Sequence, residues 1–244
     1  MKGQEEKEEV FKFKQFEVSH SSSSMKIGVD GVLLGAWGDI KGDMGLDIGC
    51  GCGVIGLMAA QRNRHCRINM IDIHQSSIEE AIYNIRQSPW NKRISAFLAE
   101  ANDFASNETN QGKYDFILSN PPFFSAGIKT PITPREKARH EASLSPSILI
   151  EIAKTLLKPG GTLSFITTHE ILSNPLLNLN SYISRICKVA NRPDKVFKRV
   201  MVTIENRGLK TNPFPKEEIL YIRDGMGQYS SDYRALTKDF YLNF

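Results

Sequence analysis

The chain has 244 residues, 41% of them hydrophobic, with 31 Lys and Arg against 27 Asp and Glu for a formal charge of +4. This is enough to bury one substantial core, or one core with a small appendage, and the charge is too modest to decide a partner unless its distribution is considered. Four cysteines without framework spacing point to a reducing compartment, Met1 to Glu9 has no apolar stretch of a signal peptide, and no run approaches the roughly twenty apolar residues of a membrane helix, so the expected location is the cytoplasm.

In chain order, the pattern predicts a helix over Gly31 to Trp37, a strand over 44–48, a helix over 53–62 and a strand over 67–73. A helix over 76–87 follows, with Ser76 or Ser77 as its cap, Glu79 or Glu80 in its first turn, and Ala81, Ile82 and Ile85 on its buried side. Next come a strand over 94–99, a polar connection from Asn102 to Lys113, and a strand over 114–119. Beyond Asn120-Pro121-Pro122-Phe123 the pattern continues with a helix over 145–157, a turn at Lys158-Pro159-Gly160-Gly161, a strand over 162–168, a helix over 173–188, and strands near 196–206 and 217–223. Strands alternating with helices at this spacing predict an α/β fold, with a mostly parallel sheet covered on both faces. The last two strands are expected to form an antiparallel edge. Ser21 to Ser24 reads as a mobile loop.

Two segments carry chemistry. The first is Leu46-Asp47-Ile48-Gly49-Cys50-Gly51-Cys52-Gly53, between a strand and a helix. Gly49, Gly51 and Gly53 permit positive φ and let a ligand approach bare backbone at a helix N-terminus. A dinucleotide-binding loop would read G-x-G-x-x-G with a pyrophosphate on the helix end. Here the glycines are read as G-x-G-x-G, and Asp47 would repel a pyrophosphate but suits an ammonium or sulfonium group, which favours S-adenosylmethionine over NAD. Asp72 ends the next strand, where an acid can accept both ribose hydroxyls. Cys50 and Cys52 have no second pair nearby, so they read as small residues in tight space, and no metal site is expected.

The second segment is Asn120-Pro121-Pro122-Phe123, beyond the carboxyl end of a strand, where open α/β sheets bind ligands. The prolines stiffen the loop and remove donors, which leaves its carbonyls as acceptors. An exocyclic amine can donate both hydrogens to the Asn120 side chain and the Pro121 carbonyl, turning its lone pair toward a methyl donor, while Phe123 stacks on the base. This is catalysis by positioning and electrostatics, without a strong base.

The glycine stretch and Asp72 resemble the Rossmann-like class I S-adenosylmethionine-dependent methyltransferases, and Asn120 to Phe123 resembles the (N/D)PP(Y/F) motif of those acting on planar nitrogens. Phe13-Lys14-Gln15-Phe16, Met25 to Trp37, Gln87-Ser88-Pro89-Trp90 and Glu205-Asn206-Arg207-Gly208 resemble the bacterial family that methylates N6 of the adenine 3′ of the anticodon in valine tRNA. The resemblance implies a seven-stranded, mostly parallel sheet, with residues 1–40 covering the cofactor site of a single methyltransferase domain over 41–244. It further implies that Lys26, Gly28, Asp30 and Gly31 pack over the methionine end of the cofactor beside Asp47 and Gly49. Asp72, with Ile73 next to it, holds the ribose, Asp103 and Phe104 contact the adenine, and Asn120, Pro121 and Phe123 hold the target base, with Asn120 also counted among the cofactor-binding residues beside Gly51 and Gly53. His74 departs from the acid that related sequences often carry there, and reads as a loop residue.

Between Arg185 and Lys210 lie eight Lys or Arg, among them Lys188, Arg192, Lys195, Lys198 and Arg199, against only Asp194 and Glu205. A second basic cluster, Lys129, Arg135, Lys137, Arg139 and His140, follows the proline loop. Both are candidates for contact with tRNA phosphates around an extruded base. The expected reaction is adenine-N6 methylation of tRNA, at adenine 37 in the family resembled. N5 methylation of a protein glutamine, adenine methylation of another RNA or of DNA, and RNA binding without catalysis are the alternatives.

Overall fold

A computed structural model of the protein describes residues 10–21, 27–122, 144–173, 182–207 and 215–244. Its centre is an eight-stranded sheet built from β3 (Met44–Ile48), β4 (Arg67–Asp72), β5 (Ile94–Leu98), β6 (Tyr114–Ser119), β7 (Leu157–Thr168), β8 (Tyr182–Ala190), β9 (Arg199–Glu205) and β10 (Lys216–Tyr221). The order across the sheet is β10-β8-β9-β7-β6-β3-β4-β5. All strands run the same way except β9, which is antiparallel to both β7 and β8. A separate hairpin, β1 (Val10–Lys12) with β2 (Glu17–Ser19), precedes the sheet.

Side chains alternate between the two faces of the strands. Along β6, Phe116 and Leu118 join one core while Ile117 joins the other. The first core is closed by α1 (Val29–Trp37), α2 (Val54–Arg62) and α3 (Gln75–Gln87), together with the hairpin's Phe13, Phe16 and Val18 and Tyr233 of α6 (Ser231–Thr237). The second is closed by α4 (Ala101–Ser106) and α5 (Pro146–Leu156), whose Leu149, Ile152, Ala153 and Leu156 form one stripe at helical spacing.

The predicted helices and strands through 168 are present, but the turn expected at Lys158-Pro159-Gly160-Gly161 falls inside β7, where Gly160 takes a φ of 81° and the pairing with β6 shifts register, and four further corrections follow. The sheet has eight strands rather than seven. The segment read as a helix over 173–188 contains strand β8 at Tyr182–Ala190. β9 and β10 do not pair with each other, because β8 lies between them, and the edge strand β10 is parallel to its neighbour; the antiparallel strand is the interior β9. The connection after β5 holds α4, whose N-terminus is capped by the Glu100 side chain accepting from the Asn102 and Asp103 N–H groups.

At α3 the cap position is His74 and no side chain caps it; Ser77 is fully buried and neither glutamate lies in the first turn. Among the described residues, no helix is long and apolar enough to cross a membrane. Ser22 to Ser24 fall outside the described residues.

Candidate functional site

Three strand ends meet at the carboxyl edge of the sheet. Ile48 pairs with Ile71 on one side and Ser119 on the other, so Gly49, Asp72 and Asn120 emerge side by side from β3, β4 and β6. The Ser119 hydroxyl donates to the Ile48 carbonyl at 2.9 Å, and the Gly49 and Cys50 N–H groups donate to the Ile71 carbonyl at 2.9 and 3.0 Å. The glycine loop is thereby stitched to the end of β4.

Gly49, Gly51 and Gly53 adopt φ of 71°, 53° and 85°, the left-handed region where a side chain would be strained. A Cβ on Gly49 or Gly51 would meet no atom within 4 Å, so the loop presents bare backbone to open space. Gly53 caps α2 without a side-chain hydrogen bond.

Gly56 was overlooked in the sequence, where Gly51, Gly53 and Gly56 complete the G-x-G-x-x-G spacing. A Cβ there would stand 2.3 Å from Met70 Cε, so its role is the close approach of α2 to β4. The spacing criterion against a dinucleotide therefore falls, and the distinction rests on Asp47.

Asp47 is fully buried in β3. Its Oδ2 accepts from the Gly56 N–H at 3.0 Å, whereas its Oδ1 has no partner. Burial chiefly, and the nearby Asp72 charge to a lesser degree, push its pKa up to about 7 despite the Gly56 hydrogen bond. A buried carboxylate with an unpartnered oxygen gains much from a cation.

Asp72, also buried, accepts from the Gly51 N–H at Oδ2 and from the His74 N–H at Oδ1, both at 2.9 Å. It shapes the loop, and each oxygen keeps a lone pair for a ligand hydroxyl. The exposed His74 contributes its backbone here, consistent with a loop role.

Beside Asp72 opens a cavity of about 720 Å³ whose lining brings together Ile73, Asp103 and Phe104. Leu98, not singled out in the sequence, also lines it and is 53% exposed, as Ile73 is at 59%; Leu98 pairs in register with Asp72. Ile73 and Leu98 thus present exposed apolar surface to this cavity.

Asn120 is half-buried, and its Oδ1 is buried without a partner; Pro121 is buried behind it. Gly28 caps α1, and Gly31 packs against Val54 and Ile55 at the start of α2, which brings the head of α1 to the glycine loop. Asp30 Oδ2 is held by Arg199 Nε at 2.9 Å, an ion pair the sequence did not disclose. Lys26, Phe123, Lys129, Arg135, Lys137, Arg139 and His140 lie outside the described residues.

β9 begins at Arg199, opposite Thr168 and Val189, so the turn over 191–198 stands on the same edge of the sheet as the site. Its charges are partly balanced through space. Lys188 pairs with Glu217, Arg192 and Lys195 share Asp194, and Arg199 holds Asp30. A count along the sequence misses Glu217 and Asp30.

All four cysteines are buried and free, with burial pushing Cys52 and Cys187 up to about 12 and Cys50 well above the usual thiol range. They are inert fillers. Among the described residues, no three His, Cys, Asp or Glu side chains are grouped to hold a metal ion.

Comparison with known proteins accords with this geometry. The model of the methyltransferase small domain family matches residues 30–197. A tRNA1(Val) (adenine(37)-N6)-methyltransferase of Mannheimia succiniciproducens is 36% identical over 235 residues, covering 96% of this chain and 95% of that protein. The enzyme of the same name from Pectobacterium carotovorum is 37% identical over 240 residues, covering 95% and 93%. Among solved structures, a predicted O-methyltransferase from Agrobacterium tumefaciens superposes with a TM-score of 0.64 at 18% identity over 86% of this chain and 96% of that one. TYW2 of Pyrococcus horikoshii in complex with MeSAdo gives 0.58 at 12% identity over 80% and 70%.

Proposed function

The chain belongs to the family of tRNA1(Val) (adenine(37)-N6)-methyltransferases, within the methyltransferase small domain family, and from that premise we propose that it transfers a methyl group to N6 of adenine 37 in valine tRNA. It is an S-adenosylmethionine-dependent enzyme, and the residues present fit that cofactor. Bare backbone at Gly49 and Gly51 leaves room for the ligand, and the orphaned Asp47 Oδ1 would take the ammonium group of its methionine end. Gly53 lets the chain turn into α2. Asp72 would accept from the ribose hydroxyls, and the cavity that Ile73, Asp103 and Phe104 line would take the adenine. Lys26, Gly28, Asp30 and Gly31 belong to the segment, residues 1–40, that covers the methionine end; Asp30 does so from its ion pair with Arg199. Residues 41–244 form the methyltransferase domain.

The bound cofactor supplies an activated methyl group on a sulfonium. The chain's own residues orient the acceptor. The exocyclic amine donates to Asn120 Oδ1 and to the Pro121 carbonyl, and Phe123 stacks on the base. With both N–H bonds so engaged, the lone pair would be turned out of conjugation and toward the methyl group; as the C–N bond formed the S–CH3 bond would break, leaving S-adenosylhomocysteine as the neutral thioether, and the surplus amine proton would pass to solvent water. Proximity and orientation carry the rate.

The observation that carries this reading is the buried, partnerless Asn120 Oδ1 standing next to the glycine loop. The turn over 191–198 and the 129–140 cluster are the proposed contacts for phosphates flanking the extruded base. Lys188, Arg192, Lys195, Lys198 and Arg199 serve the first, and Lys129, Arg135, Lys137 and Arg139 the second. A tRNA substrate places the enzyme in the cytoplasm. Asn120→Ala tests the reading: turnover on tRNA is expected to vanish while cofactor binding persists, and full activity would remove the mechanism.

A further inference from the structure

Asn84 lies in the middle of α3, is 1% exposed, and is not among the residues lining the cavity beside Asp72. Its amide nevertheless joins two parts of the site. Nδ2 donates to the Cys52 carbonyl at 2.9 Å and to the Ser19 carbonyl at 2.8 Å, and Oδ1 accepts from the Ser19 N–H at 2.8 Å. Both amide hydrogens are thus used. Cys52 sits between Gly51 and Gly53, both at positive φ, so this bond fixes a peptide of the glycine loop that has no rigid side chain of its own. Ser19 ends β2, the last strand before the chain proceeds to Gly28 and the head of α1. Glu80, one turn earlier on α3, accepts from the Ser19 hydroxyl at 3.4 Å and strengthens the same junction.

We propose that Asn84 is a positioning residue for cofactor binding, which couples the docking of the N-terminal hairpin to the shape of the glycine loop. A lone buried asparagine satisfied within its own helix would serve stability alone. This one bridges three segments far apart in sequence, one of them the glycine loop. The hairpin is independently secured on its other side, where Phe16 stacks on Phe13 and meets Trp90 edge-on. Asn84 is thus a hydrogen-bonded link from the hairpin to the loop.

The inference rests on cofactor binding at the glycine loop, and calorimetric titration of S-adenosylhomocysteine tests it. Asn84→Ala, and the isosteric Asn84→Asp, which keeps an acceptor for Ser19 but loses both donors, should each weaken binding on the order of tenfold or more, with kcat at saturating cofactor within about threefold of the parent. The pattern would be a rise in KM for S-adenosylmethionine without a matching fall in kcat. Phe16→Ala should weaken binding in the parent and add little in the Asn84→Ala background, because sites coupled through one network are not additive. Unchanged affinity in either folded variant, or full additivity with Phe16→Ala, overturns the proposal. Asp72→Ala, titrated alongside, separates the failures: if it too leaves affinity unchanged, the placement of the cofactor is at fault rather than the role of Asn84.

Discussion

Cofactor affinity should climb with pH up to about 7 and then level off, and Asp47→Asn should abolish that climb. Asp47 is buried, one oxygen bonded to Gly56 N–H and the other bare, and burial is the leading cause of its raised pKa. From its ordinary 3.8 to about 7 is roughly three units, or about 4 kcal/mol at 1.36 kcal/mol per unit, an upper limit on the cost of ionising it in the empty site.

The sign follows from linkage. Because the folded pKa is raised, the stability this group contributes is present below about pH 4 and lost as pH rises through about 7 in the cofactor-free protein. A ligand ammonium favours the ionised carboxylate, so binding must first displace the proton. Below about pH 7 log K therefore rises by up to about one per pH unit, while the ligand's α-amino group keeps its own proton until about 7.7–8.0.

Titration of S-adenosylhomocysteine by calorimetry between about pH 5.5 and about 7, in buffers of different ionisation enthalpy, would read both the slope and the proton released. Asp47→Asn has no proton to lose. Its profile should be flat, its affinity at about pH 7.5 lower by about 1.5–3 kcal/mol for a lost charged hydrogen bond, and its cofactor-free Tm higher than the parent's at that pH. A flat profile in the parent, or an equal slope in the variant, would refute the placement of the ammonium at Asp47.

Asn120→Ala should lower kcat on tRNA by on the order of 10²-fold or more through lost orientation, with S-adenosylhomocysteine affinity held, and single-turnover kinetics would detect it. Asp72→Ala removes the acceptor for the Gly51 and His74 N–H groups along with the ribose contact; calorimetry should find affinity down by about 1–3 kcal/mol, and an unchanged value contradicts the assignment. Gly56→Ala brings a methyl group to 2.3 Å from Met70 Cε, the flexible end of a buried side chain, while gaining about 1 kcal/mol of helix propensity, so the net cost in denaturant unfolding should stay below about 2 kcal/mol. A larger loss would mean that Met70 cannot move aside.

What the sequence disclosed and what it hid divide along physical lines. The β3 loop and the Asn120 loop were legible because each is local: glycines needing positive φ, or prolines beyond a strand, announce themselves within a few residues. Their adjacency rests on the pairing of Ile48 with Ser119, a contact between strands far apart in sequence that the expected parallel sheet leaves open. β8 was misread because Ile183, Ile186 and Val189 fall three apart, as on a helix. In the structure a register shift between Ile183 and Arg185 breaks the twofold alternation of that strand. The insertion of β8 between β9 and β10 is a long-range choice that no local pattern announces.

The Asp30–Arg199 pair and the Glu217 partner of Lys188 were hidden for the same reason, since they join residues on different elements. Gly56 was within reach. It stood at the spacing of a known fingerprint, and its signal was lost by reading the glycines from Gly49 instead of Gly51.

The central claim, a methyl donor at the glycine loop facing an adenine amine held by Asn120, is tested most directly by incubating the purified protein with isotopically labelled S-adenosylmethionine and unmodified valine tRNA. The tRNA is then mapped for N6-methyladenine by mass spectrometry. The account predicts label at N6 of adenine 37, lost in Asn120→Ala and lost when that adenine is replaced. Label at another nucleotide, on a protein glutamine, or on tRNA lacking that adenine would contradict it.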